Sequence, residues 1–164
     1  TSQTSRLVYI GDGPLRNSLI TRTREVALEN QIEFTGLIPR DKVFDHLLRA
    51  DLFISTSYGE GLPVAVLEAM ACRRPVVLSD IPPHREIAEG VDFIPLIHPD
   101  DVAGFAREIK RFREMPISVR REIGYKCREL VEQRFSLTAM HSGYAQIYTQ
   151  ITGHYIAPAF EGAR

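Results

Sequence analysis

Two glutamates, Glu60 and Glu68, stand with seven residues between them in a segment that otherwise holds only glycine, proline and apolar residues. Pro63 is predicted to start a helix, because its fixed φ suits the first helical position and it has no amide to leave unpaired. The amides of Val64–Val66 then lack acceptors inside the helix, and the positive end of the helix dipole lies behind them. Together with Gly61, which lets a ligand approach the backbone closely, this segment predicts an anion-binding site.

The positions of the two carboxylates fit a ligand that carries both a phosphate and hydroxyl groups. Glu68 lies about 7.5 Å beyond Pro63 along the helix axis, and its side chain leans back toward the helix start. A phosphate bound at the helix start would leave Glu68 placed for a hydroxyl of an attached ribose. Glu60 would face the group on the other side of the phosphates. The alternative is that Glu68 pairs with an arginine and Glu60 is a solvated loop residue; the candidate arginines are Arg73, Arg74 and Arg85.

The elements that must position these glutamates alternate between strand-like and helix-like runs. This order predicts an α/β chain, a Rossmann-like parallel sheet with helices on both faces. The expected strands are 6–11, 32–36, 51–56, 75–79 and 92–96, and the expected helices are 14–29, 40–49, 63–72 and one turn at 84–89. Three more helices are expected near 101–113, 117–133 and 137–151, which makes the C-terminal segment helical. Residues 1–152 are expected to form one domain and 153–164 a mobile tail.

Composition excludes several classes of function. The 164 residues carry a formal net charge of -1 from 20 basic and 21 acidic residues, so no basic excess points to nucleic acid. No apolar run approaches the roughly 18 residues that a membrane span needs. Cys72 and Cys127 lack metal-ligand spacing, and reduced thiols favour a cytoplasmic location. Because the sequence opens at Thr1 without Met, it is expected to be a fragment of a longer protein.

The segment from Glu60 to Cys72, followed by Pro75–Asp80, resembles glycosyltransferase family 4, a retaining group with the GT-B fold of two Rossmann-like domains. Three further stretches resemble the same family: a glycine–proline turn at 11–15, a base-contacting loop at 34–38 and the strand at 50–57 that precedes the glutamates. The resemblance covers about residues 6–151. It implies that the chain is the C-terminal, nucleotide-sugar-binding domain of an enzyme of carbohydrate biosynthesis.

The resemblance also implies a role for each matched residue. Glu68 would hold the ribose hydroxyls, and Glu60, the candidate catalytic residue, would bond hydroxyls of the transferred sugar. The remaining candidate donor contacts are Gly61, Leu62, Pro63 and Val64 at the sugar or phosphates, Leu37 and Ile38 at the base, and Gly11 and Gly13 at a turn that is about as well explained as purely structural. The donor would be a UDP-, GDP- or ADP-sugar, and neither a cofactor nor a metal is expected, since no Asp-x-Asp motif is present.

Departures from the family pattern limit what the chain is expected to do alone. The strand and helix that usually open this domain, with an Arg and a Lys for the donor phosphates, have no counterpart here. The N-terminal acceptor domain is the expected partner, so the isolated chain is predicted to be inactive. Arg73 stands where a helix-ending glycine is common, and Pro83 where a loop glycine is common.

Two surfaces and two rival functions stay open from the sequence. The helix face with Arg107, Lys110, Arg111 and Arg113 is either a solvated face or a peripheral contact with the inner face of a membrane. A stripe near 144–151 is either core or an interface with the acceptor domain. The rival to a glycosyltransferase is a non-catalytic nucleotide-sugar-binding or regulatory module of the same fold, and a sugar-nucleotide epimerase fits less well.

Overall fold

A computed structural model describes residues 5–155, which form two compact units divided at residues 46 and 47. Most of the tail expected at 153–164 lies outside the described residues. The division falls within a helix, α2 (Arg40–Arg49), whose bounds match the prediction. The chain is α/β and every strand pair is parallel, as predicted. The strands form two sheets, one in each unit, where a single sheet was expected.

The first unit contains a two-stranded parallel sheet, β1 (Leu7–Ile10) beside β2 (Ile32–Gly36). Tyr9 and Phe34 lie opposite each other and stack with ring centroids 5.1 Å apart. The helix between the strands, α1, spans Arg16–Glu25. Cross-strand aromatic stacking of this kind fixes the register of a short sheet.

The predicted bounds of α1, residues 14–29, were wrong at both ends. At its start, a turn in which the Arg16 amide donates to the Gly13 carbonyl (3.1 Å) comes first. At its end, Ala27 adopts a left-handed backbone with φ +54°, and the Leu28 amide donates back to the Thr23 carbonyl. These bonds satisfy carbonyls of the last turn and end the helix four residues early.

The second unit is built on a three-stranded parallel sheet in the order β3 (Phe53–Ser55), β4 (Val76–Ser79), β5 (Leu96–Ile97). Its helices are α3 (Val64–Ala71), α4 (Pro82–Ala88), α5 (Val102–Glu114), α6 (Ile117–Arg134) and α7 (Leu137–Thr152). Every residue of the central strand β4 is buried. This burial on both faces explains why residues 76–78 are all apolar.

The core of the second unit lies where α5 covers one face of the sheet. Val77 of β4 packs with Phe105 and Phe112 of α5. Side chains alternate along a strand, so Val76 and Leu78 point to the opposite face. The prediction of helices on both faces is therefore confirmed in this unit.

Strand β5 was predicted at 92–96 but forms at Leu96–Ile97, paired with Leu78 and Ser79. Pro95 is the physical reason, because proline has no amide to donate to a ladder. Its carbonyl still accepts from the Leu78 amide at 3.1 Å, and pairing begins at the next residue. An apolar run that contains proline thus shifts the strand toward its C-terminal end.

Candidate functional site

Glu60 lies in the loop that follows β3, and its carboxylate is exposed but held. The Ser57 hydroxyl donates to Glu60 Oε1 at 2.7 Å. The Ser55 hydroxyl lies 3.2 Å from the Ser57 hydroxyl. A serine two residues beyond the end of the strand therefore orients the carboxylate that sequence analysis assigned to the transferred sugar.

Beneath this loop lies a buried pair that sequence analysis missed, Ser79 and His84, both with no exposed surface. Ser79 Oγ donates to the Ser57 carbonyl at 2.6 Å. His84 Nδ1 lies 2.9 Å from the Ser79 carbonyl and 3.2 Å from Ser79 Oγ. One feature of the sequence could have pointed to the pair: Ser79 follows the apolar run 76–78. A serine buried at the end of such a strand needs a hydrogen-bond partner for its hydroxyl.

The start of α3 has the shape predicted for an anion site, with a correction to its donors. Pro63 is buried and sits immediately before the first helical residue, whereas Leu62 and Val64 are exposed. The Val64 amide donates to the Leu62 carbonyl and the Val66 amide to the Pro63 carbonyl. Among residues 5–155, no backbone carbonyl accepts from the Ala65 amide. The predicted set of three open amides was therefore wrong, because the tight turn before the helix uses two of them.

Glu68 is half-buried on the second turn of α3. The helix is apolar apart from Glu68, yet Val64 and Ala65 are exposed, whereas Val66, Ala69 and Met70 are buried. Its first turn thus presents a free face, as a ligand site requires. The Glu68 carboxylate is near enough to Cys72 to act on its thiol, whose pKa is raised by burial first and by Glu68 in part.

Each arginine that was offered as a partner for Glu68 has another contact. Arg74 donates to the Ala50 and Cys72 carbonyls, and Arg85 to the Asp80 carboxylate. The Arg73 guanidinium lies 4.8 Å from the centre of the Tyr125 ring. Each of these three guanidinium groups therefore has a partner of its own.

The far end of α3 is fixed by α6. Arg73 adopts φ +60°, the left-handed conformation for which glycine is common at a helix end. Its amide donates to the Met70 carbonyl, and the Arg74 amide donates to the Ala69 carbonyl. The Arg128 guanidinium donates to the Ala71 carbonyl. Carbonyls of the last turn are thereby satisfied from the backbone and from α6, which anchors the helix that carries Glu68.

Further polar groups gather at the carboxyl ends of the same strands. The Tyr58 hydroxyl donates to Asp100 Oδ1 at 2.7 Å, which raises the pKa of the Tyr58 phenol. Arg85 donates to both carboxylate oxygens of Asp80 and lowers the pKa of that carboxyl. Pro83, which stands where a loop glycine is common in the family, lies with Pro82 at the first positions of α4, where proline fits the helix.

The remaining predicted donor contacts lie in the first unit. Leu37 is 82% exposed and Ile38 is half-buried. Gly11 has φ +123° and its amide donates to the Gly36 carbonyl, so its turn is structurally required. A Cβ at Gly13 would meet no atom within 4 Å. The donor roles of these four residues stay predictions.

The described part of the chain shows neither a metal-binding cluster nor a membrane-spanning helix. Across residues 5–155, no cluster of three or more His, Cys, Asp or Glu could hold a metal ion. None of the helices in that range is long and apolar enough to cross a bilayer. On the basic face, Arg107 pairs with Asp101, Lys110 with Glu114 and Arg111 with Glu108. This pairing favours the solvated alternative for that face.

Known proteins resemble the chain both in sequence and in fold. The putative glycosyltransferase EpsD of Bacillus subtilis is 30% identical over 144 residues, which cover 88% of this chain and 37% of EpsD. A glycosyltransferase structure from Rickettsia africae matches 90% of this chain and 40% of its own, with a TM-score of 0.79 at 20% identity. The Anabaena HepE structure in complex with UDP-glucose covers 88% and 41%, with a TM-score of 0.75 at 22% identity.

These matches carry two different conclusions. The structural likenesses, at this low identity, establish the fold that GT-B glycosyltransferases share. The chain spans only about two fifths of the length of these proteins. In sequence, residues 1–114 match the family described as glycosyl transferases group 1, which is more than half of the chain. The chain therefore belongs to the glycosyl transferases group 1 family.

Proposed function

We propose that this chain is the donor-binding half of a retaining, metal-independent glycosyltransferase of family 4. It binds a nucleoside diphosphate sugar, and the complete enzyme transfers the sugar to an acceptor with retention of its anomeric configuration. Family membership supports the glycosyltransferase activity, and the UDP-glucose complex of the related fold supports the class of donor. The non-catalytic module stays the rival.

One observation carries the proposal, the arrangement of carboxylates around the open first turn of α3. Glu60 is exposed in the loop before the turn, and Glu68 is half-buried one turn beyond it. Between them, the Ala65 amide has no backbone acceptor in the described chain. A diphosphate at this amide sits in the field of the helix dipole, with a carboxylate on either side for the hydroxyls of the ribose and of the sugar.

The chemistry follows from where charge develops. As the glycosidic bond breaks, the sugar gains oxocarbenium character and the diphosphate leaves with added negative charge. The helix start stabilises that charge without reorganising, because its dipoles are already oriented. Gly61 and Leu62 border the sugar or phosphates, and Glu60 holds the sugar hydroxyls in position. Acceptor binding belongs to the part of the full-length relatives that this chain does not span, so the chain alone is expected to be inactive.

The proposal includes a cytoplasmic location, with peripheral contact at the inner face of a membrane as the alternative left by the sequence. Reduced thiols at Cys72 and Cys127 favour the cytoplasm. The basic face of α5 gives the membrane contact little support, since three of its four cations are paired with carboxylates.

Calorimetric titration with UDP, GDP and ADP, without added metal, tests the proposal. One of the three is expected to bind the wild-type chain, and Glu68→Ala is expected to weaken it by about 10–100-fold. That range corresponds to the roughly 1.5–3 kcal/mol typical of a hydrogen bond to a charged group. Glu122→Ala is the matched control, because Glu122 is an exposed carboxylate on α6 that pairs with Lys126. Equal weakening by both variants, or no binding of any of the three nucleotides, would contradict the proposal.

A further inference from the structure

We propose that Ser79 and His84 are positioning residues that orient Glu60 from beneath through the loop that follows β3. The inference rests on the proposed function, because it concerns how the sugar-contacting carboxylate of that site is held. Ser79 ends β4 and His84 lies in the first half of α4, so the device links three elements of the second unit. Neither residue is exposed, so each acts on Glu60 through other residues rather than by touching a ligand.

The donor and acceptor of each hydrogen bond between His84, Ser79, Ser57 and Glu60 can be assigned. A carbonyl only accepts, so His84 Nδ1, at 2.9 Å from the Ser79 carbonyl, carries a proton. The same N–H also reaches Ser79 Oγ at 3.2 Å, which leaves the Ser79 hydroxyl proton for the Ser57 carbonyl at 2.6 Å. The Ser57 hydroxyl in turn donates to Glu60 Oε1 at 2.7 Å.

Ser57 connects the buried pair to Glu60, because its carbonyl bonds to Ser79 and its hydroxyl bonds to Glu60. Its carbonyl is fixed from below by the hydroxyl of the buried Ser79, in a part-buried hydrogen bond that is partly shielded from water. Its hydroxyl orients the exposed Glu60 carboxylate. With its backbone fixed, Ser57 restricts a carboxylate that would otherwise sample many rotamers, and preorganisation of this kind strengthens ligand binding.

The imidazole of His84 has a buried nitrogen that lowers stability, and packing in the core alone does not explain why a histidine stands there. Its Nε2 is buried and has no hydrogen-bond partner among the described residues. A buried polar atom without a partner is unfavourable, and an apolar side chain would avoid it. The benefit of histidine at this position lies at Nδ1, which fixes the orientation of the Ser79 hydroxyl.

The first arm of the test needs no ligand. Backbone ¹⁵N relaxation of the wild-type chain is expected to give order parameters near about 0.85 for residues 57–61, as in rigid backbone. In Ser79→Ala they are expected to fall toward roughly 0.6, the range of flexible segments. Unchanged order parameters in this variant would overturn the inference whether or not a nucleotide binds.

The second arm compares three matched pairs of ligands: UDP with UDP-glucose, GDP with GDP-mannose, and ADP with ADP-glucose. Because Glu60 is assigned to the sugar, Ser79→Ala should weaken the sugar nucleotide about tenfold and leave the matching diphosphate within about twofold. Loss of affinity for both members of a pair in equal measure would indicate a merely structural role and overturn the inference.

Two further comparisons separate positioning from general destabilisation. His84→Asn keeps an N–H near the position of Nδ1 and is expected to retain the preference for the sugar nucleotide, whereas His84→Leu is expected to lose it. Ser136→Ala removes the hydroxyl that accepts from the Ala139 amide at the start of α7, so it lowers stability away from the Glu60 loop. It should leave the ligand preference unchanged. If the wild-type chain binds none of the six ligands, the proposed function fails, and the order parameters alone decide the positioning claim.

Discussion

Glu60 and Glu68 follow the same strand but occupy different surroundings. Glu60 is exposed and oriented by the Ser57 hydroxyl, whereas Glu68 is half-buried on α3 near the Cys72 thiol. A hydrogen bond is weakened less where water is partly excluded, so the half-buried Glu68 is the stronger acceptor for a hydroxyl and the exposed Glu60 is the more accessible one. The difference in environment matches the two roles proposed for them.

The two cysteines provide a residue-scale prediction. Burial raises the pKa of the Cys127 thiol to about 12, with a smaller opposing effect from the backbone of Val76. At pH 8 only about one part in 10⁴ of this thiol is then thiolate, the reactive form. Iodoacetamide is expected to label the half-buried Cys72 slowly in the native chain and to leave Cys127 unlabelled until denaturant is added, as followed by mass spectrometry.

The same pKa shift sets a dependence of stability on pH. The folded-state pKa of Cys127 lies above its unfolded value, so this contribution to stability is fully present below about pH 8.5 and is lost as the pH rises toward 12. Labelling of Cys127 at the rate of Cys72 in the native chain at pH 8 would contradict this account of the buried thiol.

At the residue scale, sequence reasoning located the carboxylates but missed what orients them. Glu60 and Glu68 are close in sequence and belong to one loop and the helix that follows it, so their positions around the helix start could be predicted. Ser79 lies 22 residues from Ser57, and their hydrogen bond depends on β3 and β4 being neighbours. The order of strands in a sheet does not follow from spacing along the chain, which is why this pair was missed.

Among the elements, α3 is held at its C-terminal end by α6. Gly124 of α6 faces the Arg73 carbonyl so closely that an added Cβ would lie 2.2 Å from its oxygen. Arg128, one turn further along α6, donates to the Ala71 carbonyl. The helix that carries Glu68 is thereby packed against α6 at a distance that only glycine allows.

This packing predicts opposite effects for the same substitution at two helical glycines. Gly124→Ala is expected to lower the free energy of unfolding by about 1–3 kcal/mol, because the backbone of α3 or α6 must move to admit the methyl group. Gly143→Ala in α7 is the control, since a Cβ there meets no atom within 4 Å. It should raise stability by about 1 kcal/mol through helix propensity.

Urea denaturation of both variants measures these free energies. A Gly124→Ala variant as stable as the wild type would show that α6 does not approach α3 this closely. Because the strain falls at the end of the Glu68 helix, Gly124→Ala is also expected to weaken binding of the diphosphate that the wild type binds, which Gly143→Ala should not do.

At the element scale, elements bounded by a proline or a glycine were predicted best. The bounds of α2 and β2 match the prediction, since each has clear periodicity and a proline or glycine at one end. By contrast, β5 was predicted too early, because the apolar run at 93–97 suggests a strand from its start while Pro95 has no amide to donate to a ladder. The early end of α1 depends on a left-handed alanine, which no local signal marks.

At the scale of the whole molecule, the share of its relatives that the chain spans decides which part of the proposed function can be tested on it. It spans about two fifths of the length of EpsD and of the structures with the same fold. Residues of the predicted site lie in both units, and those of the second unit are the ones whose geometry supports the proposal. The proposed sugar transfer needs more than this chain, whereas the proposed donor binding can be tested on the chain itself.

The last helix is the surface most relevant to the remainder of such an enzyme. The stripe on α7, Tyr144, Ile147, Tyr148 and Ile151, is more than half exposed at each position, so the core alternative is wrong for this chain. The helix contains no Asp, Glu, Lys or Arg. An exposed apolar face of this kind is typical of an interface, and contact with an acceptor domain stays the prediction.

The central claim is that a nucleoside diphosphate binds at the first turn of α3, and an NMR titration tests it most directly. The ¹⁵N-labelled chain is titrated without metal with UDP, GDP and ADP in turn while amide shifts are recorded. The account predicts that one nucleotide moves the amides of residues 60–66 most, the Ala65 amide above all, and that Glu68→Ala weakens this response while Glu122→Ala does not. Shifts that map to other elements, or no shift with any of the three nucleotides, would contradict it.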